Sequence, residues 1–154
     1  MQKIILRSVF LILFSFLLSS CSEEKKYTFR FPKIGISSER ESEKIVSEIR
    51  FLPIIPSQGE IRLFVDELVL GPQTPRLRPL FSLGTSVEFC FLFESDEKNV
   101  LYVGLSEKAI GEEGSSCDIQ RGISLFCQNI RTNFKNIEEI VLFIGGIVVN
   151  EYQN

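Results

Sequence analysis

Residues 71–106 read GPQTPRLRPLFSLGTSVEFCFLFESDEKNVLYVGLS, and the fold follows from how this stretch divides. Gly71 supplies the left-handed residue that ends a helix, and Pro72 cannot continue one. Pro75 and Pro79 keep Arg76-Leu77-Arg78 extended, because proline disfavours helical dihedrals in the residue before it. After Gly84-Thr85 the pattern alternates, with Val87, Phe89, Phe91 and Phe93 on one side and Glu88, Cys90, Leu92 and Glu94 on the other. The polar cluster Ser95-Asp96-Glu97-Lys98-Asn99 predicts a turn. The return run sets Leu101, Val103 and Leu105 against Val100, Tyr102 and Gly104. A helix stop, an extended loop and a β-hairpin result.

Working toward the N-terminus, Ser57-Gln58-Gly59-Glu60 has the form of a capping box. Ile61, Phe64, Val65 and Leu68 then form one helix face, with Leu63 and Leu70 roughly opposite. Tyr27, Phe29 and Phe31 alternate with Thr28 and Arg30, which predicts a strand over 27–32. Residues 35–44 (GISSERESEK) read as a solvated loop. Residues 43–52 carry two patterns. Ile45, Val46 and Ile49 have helical spacing, while Ser47, Ile49 and Phe51 alternate with Glu48, Arg50 and Leu52. Pro53 and Pro56 close the segment under either pattern.

Toward the C-terminus, residues 108–116 form a loop and Asp118 can cap a second helix. Ile119, Ile123, Phe126, Cys127, Ile130 and Phe134 fall on one face of it, and Asn136 ends it. Residues 139–144 (EIVLFI) are continuously apolar, as in a central strand. Gly145-Gly146 makes a hairpin turn, after which Ile147-Val148-Val149 turns back. The order is β-β-α-β-β-α-β with a short return. The expected fold is α+β, a single mixed sheet with two helices packed on one face.

Residues 1–20 are a processing segment. Lys3 and Arg7 supply the positive start, and VFLILFSFLL at 9–18 is too short to span a bilayer. Leu18-Ser19-Ser20-Cys21 matches the bacterial lipobox at every position. That resemblance to lipoprotein signals implies cleavage before Cys21 and acylation of its thiol and amine. Residues 21–26 are then a short lipidated tether and 27–154 the domain. The expected location is the bacterial cell envelope, outside the cytoplasm, with the membrane as a partner through Cys21.

The 154 residues and fourteen Phe are enough for one domain with a real core. Without the leader, fifteen Lys and Arg face twenty Asp and Glu, a net charge of −5. That opposes nucleic-acid binding and extensive electrostatic adhesion to anionic lipid.

Gly71-Pro72, Pro75, Leu77, Pro79-Leu80, Gly84-Thr85 and the hairpin ending Val103-Gly104-Leu105-Ser106 together resemble the GerM domain. That family is named for a sporulation and spore-germination protein and also occurs in envelope lipoproteins. The resemblance covers about residues 27–150 and favours a strand at 43–52. It implies a domain related to the ring-building modules of sporulation channels, with no enzyme activity. Where many relatives have an acidic residue, this chain has Gly104.

No catalytic, cofactor or metal constellation emerges. The chain has no His, which removes the usual base of a serine triad and the commonest zinc ligand. Gly111-Glu112-Glu113-Gly114 lacks calcium-loop spacing, and Asp66-Glu67 and Glu138-Glu139 diverge on their elements. Arg76 and Arg78 read as exposed arginines on an extended loop. Cys90, Cys117 and Cys127 are an odd set of thiols, open to buried free cysteines, a disulfide using Cys117, or metal or redox chemistry. Cys127 belongs to its helix's core face, and Cys90 alternates with the Phe-rich face of its strand, so these two are expected on opposite sides of the sheet.

If both helices cover Phe89, Phe91 and Phe93, the opposite face carries Cys90, Leu92 and Tyr102, with side chains from 140–144. That surface is expected to bind another protein or a second copy, unless the return at 147–152 covers it. The alternative is an enzyme or ligand carrier with a hidden cleft. A deep pocket with converging charges would favour that alternative, and a flat exposed face the interaction module.

Overall fold

The computed structural model describes residues 23–34, 44–55, 59–110 and 118–149. Cys21, Ser57, Cys117 and the acidic turn at 111–114 lie outside them. The chain runs β1 (Glu24–Pro32), β2 (Ile45–Pro53), α1 (Glu60–Leu70), β3 (Val87–Glu94), β4 (Asn99–Leu105), α2 (Ile119–Asn133), β5 (Glu139–Ile144) and β6 (Ile147–Val149). A 3-10 turn, Glu107–Ile110, follows β4. The α+β class and the element order are as expected. Residues 45–53 are a strand, and β1 begins at Glu24, three residues before the expected start at Tyr27.

There are two sheets, not one. β1 and β2 form an antiparallel pair, and β3-β4-β5-β6 form a mixed sheet in which β4 and β5 run parallel. The physical reason is on the free edge of β1. Asn133 Oδ1 accepts from Thr28 N at 3.0 Å and its Nδ2 donates to Thr28 O at 2.8 Å. One helical turn earlier, Asn129 does the same for Arg30, at 2.7 and 3.0 Å. Two side-chain amides at i and i+4 thus replace a neighbouring strand, and the ladder ends at a helix.

One core joins both sheets. Tyr27, Phe29 and Phe31 of β1 point into it, as the alternation predicts. Phe64 of α1 packs its ring 4.7 Å from Phe29 and 5.2 Å from Phe134. The proline loop closes another side through Leu77, Leu80 and Phe81, and Phe81 meets Phe126 edge-on at 5.5 Å. That loop is held to β1 by Ile34 N donating to Arg76 O and Arg78 N to Pro32 O. The inner side of the larger sheet supplies Leu101, Val103, Leu105, Leu142 and Ile144. Both helices lie on this inner side with β1 and β2.

The helix starts differ from each other. Asp118 caps α2 as expected, accepting from Gln120 N at 2.9 Å, although α2 ends at Asn133, earlier than Asn136. The capping box at Ser57 does not form the start of α1. Gly59 is the N-cap, with φ 73°, and no side chain among the described residues caps the helix. Glu60 is therefore the first helical residue, and its carboxylate pairs with Lys25 at 2.6 Å instead of turning back.

Candidate functional site

The hairpin register decides which face of the larger sheet is open. Glu94 pairs with Asn99, leaving a four-residue loop closed by Ser95 Oγ, which donates to Lys98 O and accepts from Lys98 N. Asn99 joins the strand and donates from Nδ2 to Asn136 O. Counting Asn99 within the turn would instead set Leu92 beside Tyr102. Side-chain period in a strand is two, so one residue of register exchanges the faces.

The expected surface of Cys90, Leu92 and Tyr102 is accordingly split. Cys90 pairs with Val103 and Leu92 with Leu101, and both are half-buried against the core. Tyr102 pairs with Phe91 on the outer face. The Phe-rich side, expected inside, is outside: Phe91 is 54% and Phe93 56% exposed. Leu101, Val103 and Leu105 take the inner positions, where branched side chains fill space between the helices. The side chains of 140–144 divide as well, with Val141 and Phe143 outward and Leu142 and Ile144 inward.

The outer face is a connected aromatic surface. Phe143 meets Phe89 edge-on at 5.5 Å, Phe89 lies 5.9 Å from Phe91, and Phe91 stacks on Tyr102 at 5.1 Å. Val148 of β6 extends it and is 49% exposed. Gly104 is the floor under Phe89. A Cβ there would lie 2.3 Å from Phe89 Cε1, so any side chain must displace the ring. The absence of a side chain at Gly104 thus serves this surface. The Lys98–Glu139 ion pair marks one end of the face.

A second feature is an open cleft of about 720 Å³ between the start of α1, the inner side of β3 and the end of α2. Two of its cations are paired with carboxylates. Lys25 pairs with Glu60, while Arg62 pairs with Asp66 at 2.9 Å and donates to Val87 O at 2.7 Å. Burial pushes the Glu60 carboxyl up, but hydrogen bonds from Lys25 and Tyr27 and the Lys25 charge hold it below its ordinary value. Burial pushes the Cys90 thiol up to about 11, so it stays protonated at neutral pH and is a weak nucleophile. Neither Cys90 nor Cys127 is in a disulfide, and both pack on the core side, which corrects the expected opposition. Among the described residues no three His, Cys, Asp or Glu side chains cluster tightly enough to hold a metal.

Arg50 is the residue whose role the sequence hid. It is 5% exposed, and its guanidinium reaches Glu48 at 2.6 Å, Glu67 Oε2 at 3.2 Å and Gly71 O at 2.6 Å. Phe29 lies beneath it at 4.6 Å. Glu48 in turn accepts from Gln73 N, Thr74 N and Thr74 Oγ1. This network fastens β2 to the end of α1 and the proline loop. The signal available was an Arg inside an alternating strand, at a position whose neighbours two residues away, Glu48 and Leu52, share its face.

Fold and surface define a small two-layer α+β domain with an open aromatic face on its larger sheet. No protein-family model and no curated protein matches the chain. A crystal structure from Clostridium perfringens, provisionally described as a lipoprotein, aligns with a TM-score of 0.47 and 15% identity, covering 82% of this chain and 78% of that one. A likeness of that size carries no functional argument. No helix among the described residues is long and apolar enough to cross a membrane.

Proposed function

We propose that this chain is a bacterial envelope lipoprotein, anchored through acylated Cys21, whose GerM-like domain is a non-catalytic interaction module. Its outer sheet face binds another protein or a second copy. The observation that carries this reading is the exposure of Phe91 and Phe93 within a ring-on-ring surface continuous with Tyr102, Phe89 and Phe143. Exposed aromatic clusters of this kind suit protein contacts, where rings bury large areas at low entropic cost. The lipobox at 18–21 supports the anchor, and the GP…P…L…PL…GT…LS series supports the family.

The cleft favours the alternative, a ligand carrier or enzyme. Against it, Lys25, Glu60, Arg62 and Asp66 neutralise each other, and Cys90 is protonated. No cofactor and no nucleic-acid partner belongs to the reading.

Cross-linking in membranes tests it. Phe91→Glu and Phe93→Glu should abolish cross-linked complexes while leaving the thermal melt nearly unchanged, because both side chains already meet water. Undiminished complexes in both variants would remove this face from consideration. Leu92→Glu, in contrast, should destabilise the fold. Separately, Cys21→Ser should block acylation, and mass spectrometry finding an unmodified N-terminus elsewhere in the parent protein would end the anchoring argument.

A further inference from the structure

The outer face of the β1–β2 pair is a second surface, and its position relative to Cys21 is fixed by chain length. Glu23 O accepts from Ile54 N at 2.8 Å, so the start of the domain is bonded to the end of β2. Cys21 is two residues before Glu23, a reach of at most about 7 Å. Beside that point, on the side of β2 away from the core, Phe51 is 60% and Ile49 55% exposed, and Ile54, just past the end of β2, is 41% exposed. Lys26 pairs across from Phe51, and Thr28 from Ile49.

The same outward surface continues past β1 onto α2, because the Asn129 and Asn133 amides hold α2 along the β1 edge. There Arg30 of β1, Arg131 of α2 and Lys135 just past its end line a shallow depression of about 470 Å³, with the polar side chains of Ser124, Gln128 and Thr132. An apolar strip thus lies next to Glu23, with these cations along its α2 side.

We propose that this face, centred on Ile49, Phe51 and Ile54 with Lys26, Arg30, Arg131 and Lys135 around them, lies flat on the lipid surface. The inference rests on acylation of Cys21. Acyl chains hold the domain at the membrane, and a two-residue link makes docking intramolecular, so a modest surface is sufficient to fix orientation. Apolar side chains enter the headgroup region while the paired backbone of β1 and β2 stays at its level. The cations meet lipid phosphates. The net charge of −5 does not prevent this, since screening confines electrostatics to about 8–10 Å at physiological salt and the local groups decide. The inner sides of both sheets share one core, so the aromatic face of the larger sheet then looks away from the membrane, toward partners.

The chain has no Trp, so single-Trp variants report without background. The full-length protein, purified from membranes with its anchor, would be reconstituted in phosphatidylcholine vesicles with and without phosphatidylglycerol, carrying a lipid-borne spin-label quencher. Phe51→Trp should emit at shorter wavelength and be quenched; Phe91→Trp should resemble its emission in detergent-free buffer and escape quenching. Adding Arg30→Glu and Lys135→Glu to Phe51→Trp should reduce quenching in the anionic vesicles and much less in the neutral ones. Vesicle association without quenching at Phe51→Trp, equal quenching at both sites, or burial of Phe51→Trp against a co-purified protein would each overturn the docking. Failure of the parent protein to stay with vesicles would instead overturn acylation.

Discussion

Arg50 holds a charge in a site with almost no water, and every donor it has is directed at Glu48, Glu67 or the Gly71 carbonyl. Removing one partner of such a network leaves the other buried and unpaired, which is why the loss exceeds the worth of the pair. Arg50→Ala should therefore cost about 3–5 kcal/mol in urea melts. Arg50→Lys should recover only part, because an ammonium cannot serve the fork-shaped set of acceptors. The same site sets a pH dependence. Burial raises the Glu48 carboxyl, but Thr74, Arg50 and the Gln73 amide outweigh it and hold the group below its ordinary value of 4.5. A depressed carboxylate contributes stability that is complete above 4.5 and is lost as pH falls through the folded-state value. Acid melts of the parent protein should show this loss, and Glu48→Gln should flatten it. An unchanged acid limb in Glu48→Gln would place the titration elsewhere. None of this was readable beforehand, since a lone Arg in an alternating strand looks the same exposed or buried.

At the level of elements, periodicity was enough wherever one side was clearly polar. The faces of α1 and α2 and the alternation of β1 follow directly from their residues, because water and core select opposite sides. The β3–β4 hairpin has apolar residues on both sides, so composition could not say which faced inward. Asn99 settled it, by entering the strand and shortening the loop by one residue. The missing single sheet has a similar origin. Asn129 and Asn133 look like ordinary polar positions, yet Asn129 is fully buried and both serve the β1 edge. Asn129→Ala should cost about 1–3 kcal/mol by leaving the Arg30 amide and carbonyl without partners. Amide exchange should accelerate at Arg30 ahead of other β1 positions. Uniform acceleration across β1 would mean that the amide is not what secures that edge. Ser57→Ala, by contrast, should change stability by less than about 0.5 kcal/mol, since the N-cap of α1 is Gly59.

Across the whole molecule, one core separates two exposed apolar surfaces with different chemistry. The outer face of the larger sheet is aromatic and ends in the Lys98–Glu139 pair. The outer face of β1 and β2 is aliphatic and aromatic, bordered by Lys26, Arg30, Arg131 and Lys135, and starts beside Glu23, two residues from the proposed anchor. The sequence contained both sets of residues but not their separation, which depends on the hairpin register and on α2 ending the small sheet. Substitutions on surfaces that share no partners act independently. Phe93→Glu should therefore abolish cross-linked complexes while leaving lipid quenching at Phe51→Trp unchanged. Ile49→Glu should do the reverse, weakening quenching at Phe51→Trp while complexes still form in detergent. The two measurements, made on the same four proteins (Phe51→Trp alone, with each change, and with both), form a cycle. Independent losses would place partner binding and membrane docking on separate faces. If Phe93→Glu reduced quenching as strongly as Ile49→Glu, both readouts would belong to one surface, and the domain would not bridge a membrane and a partner.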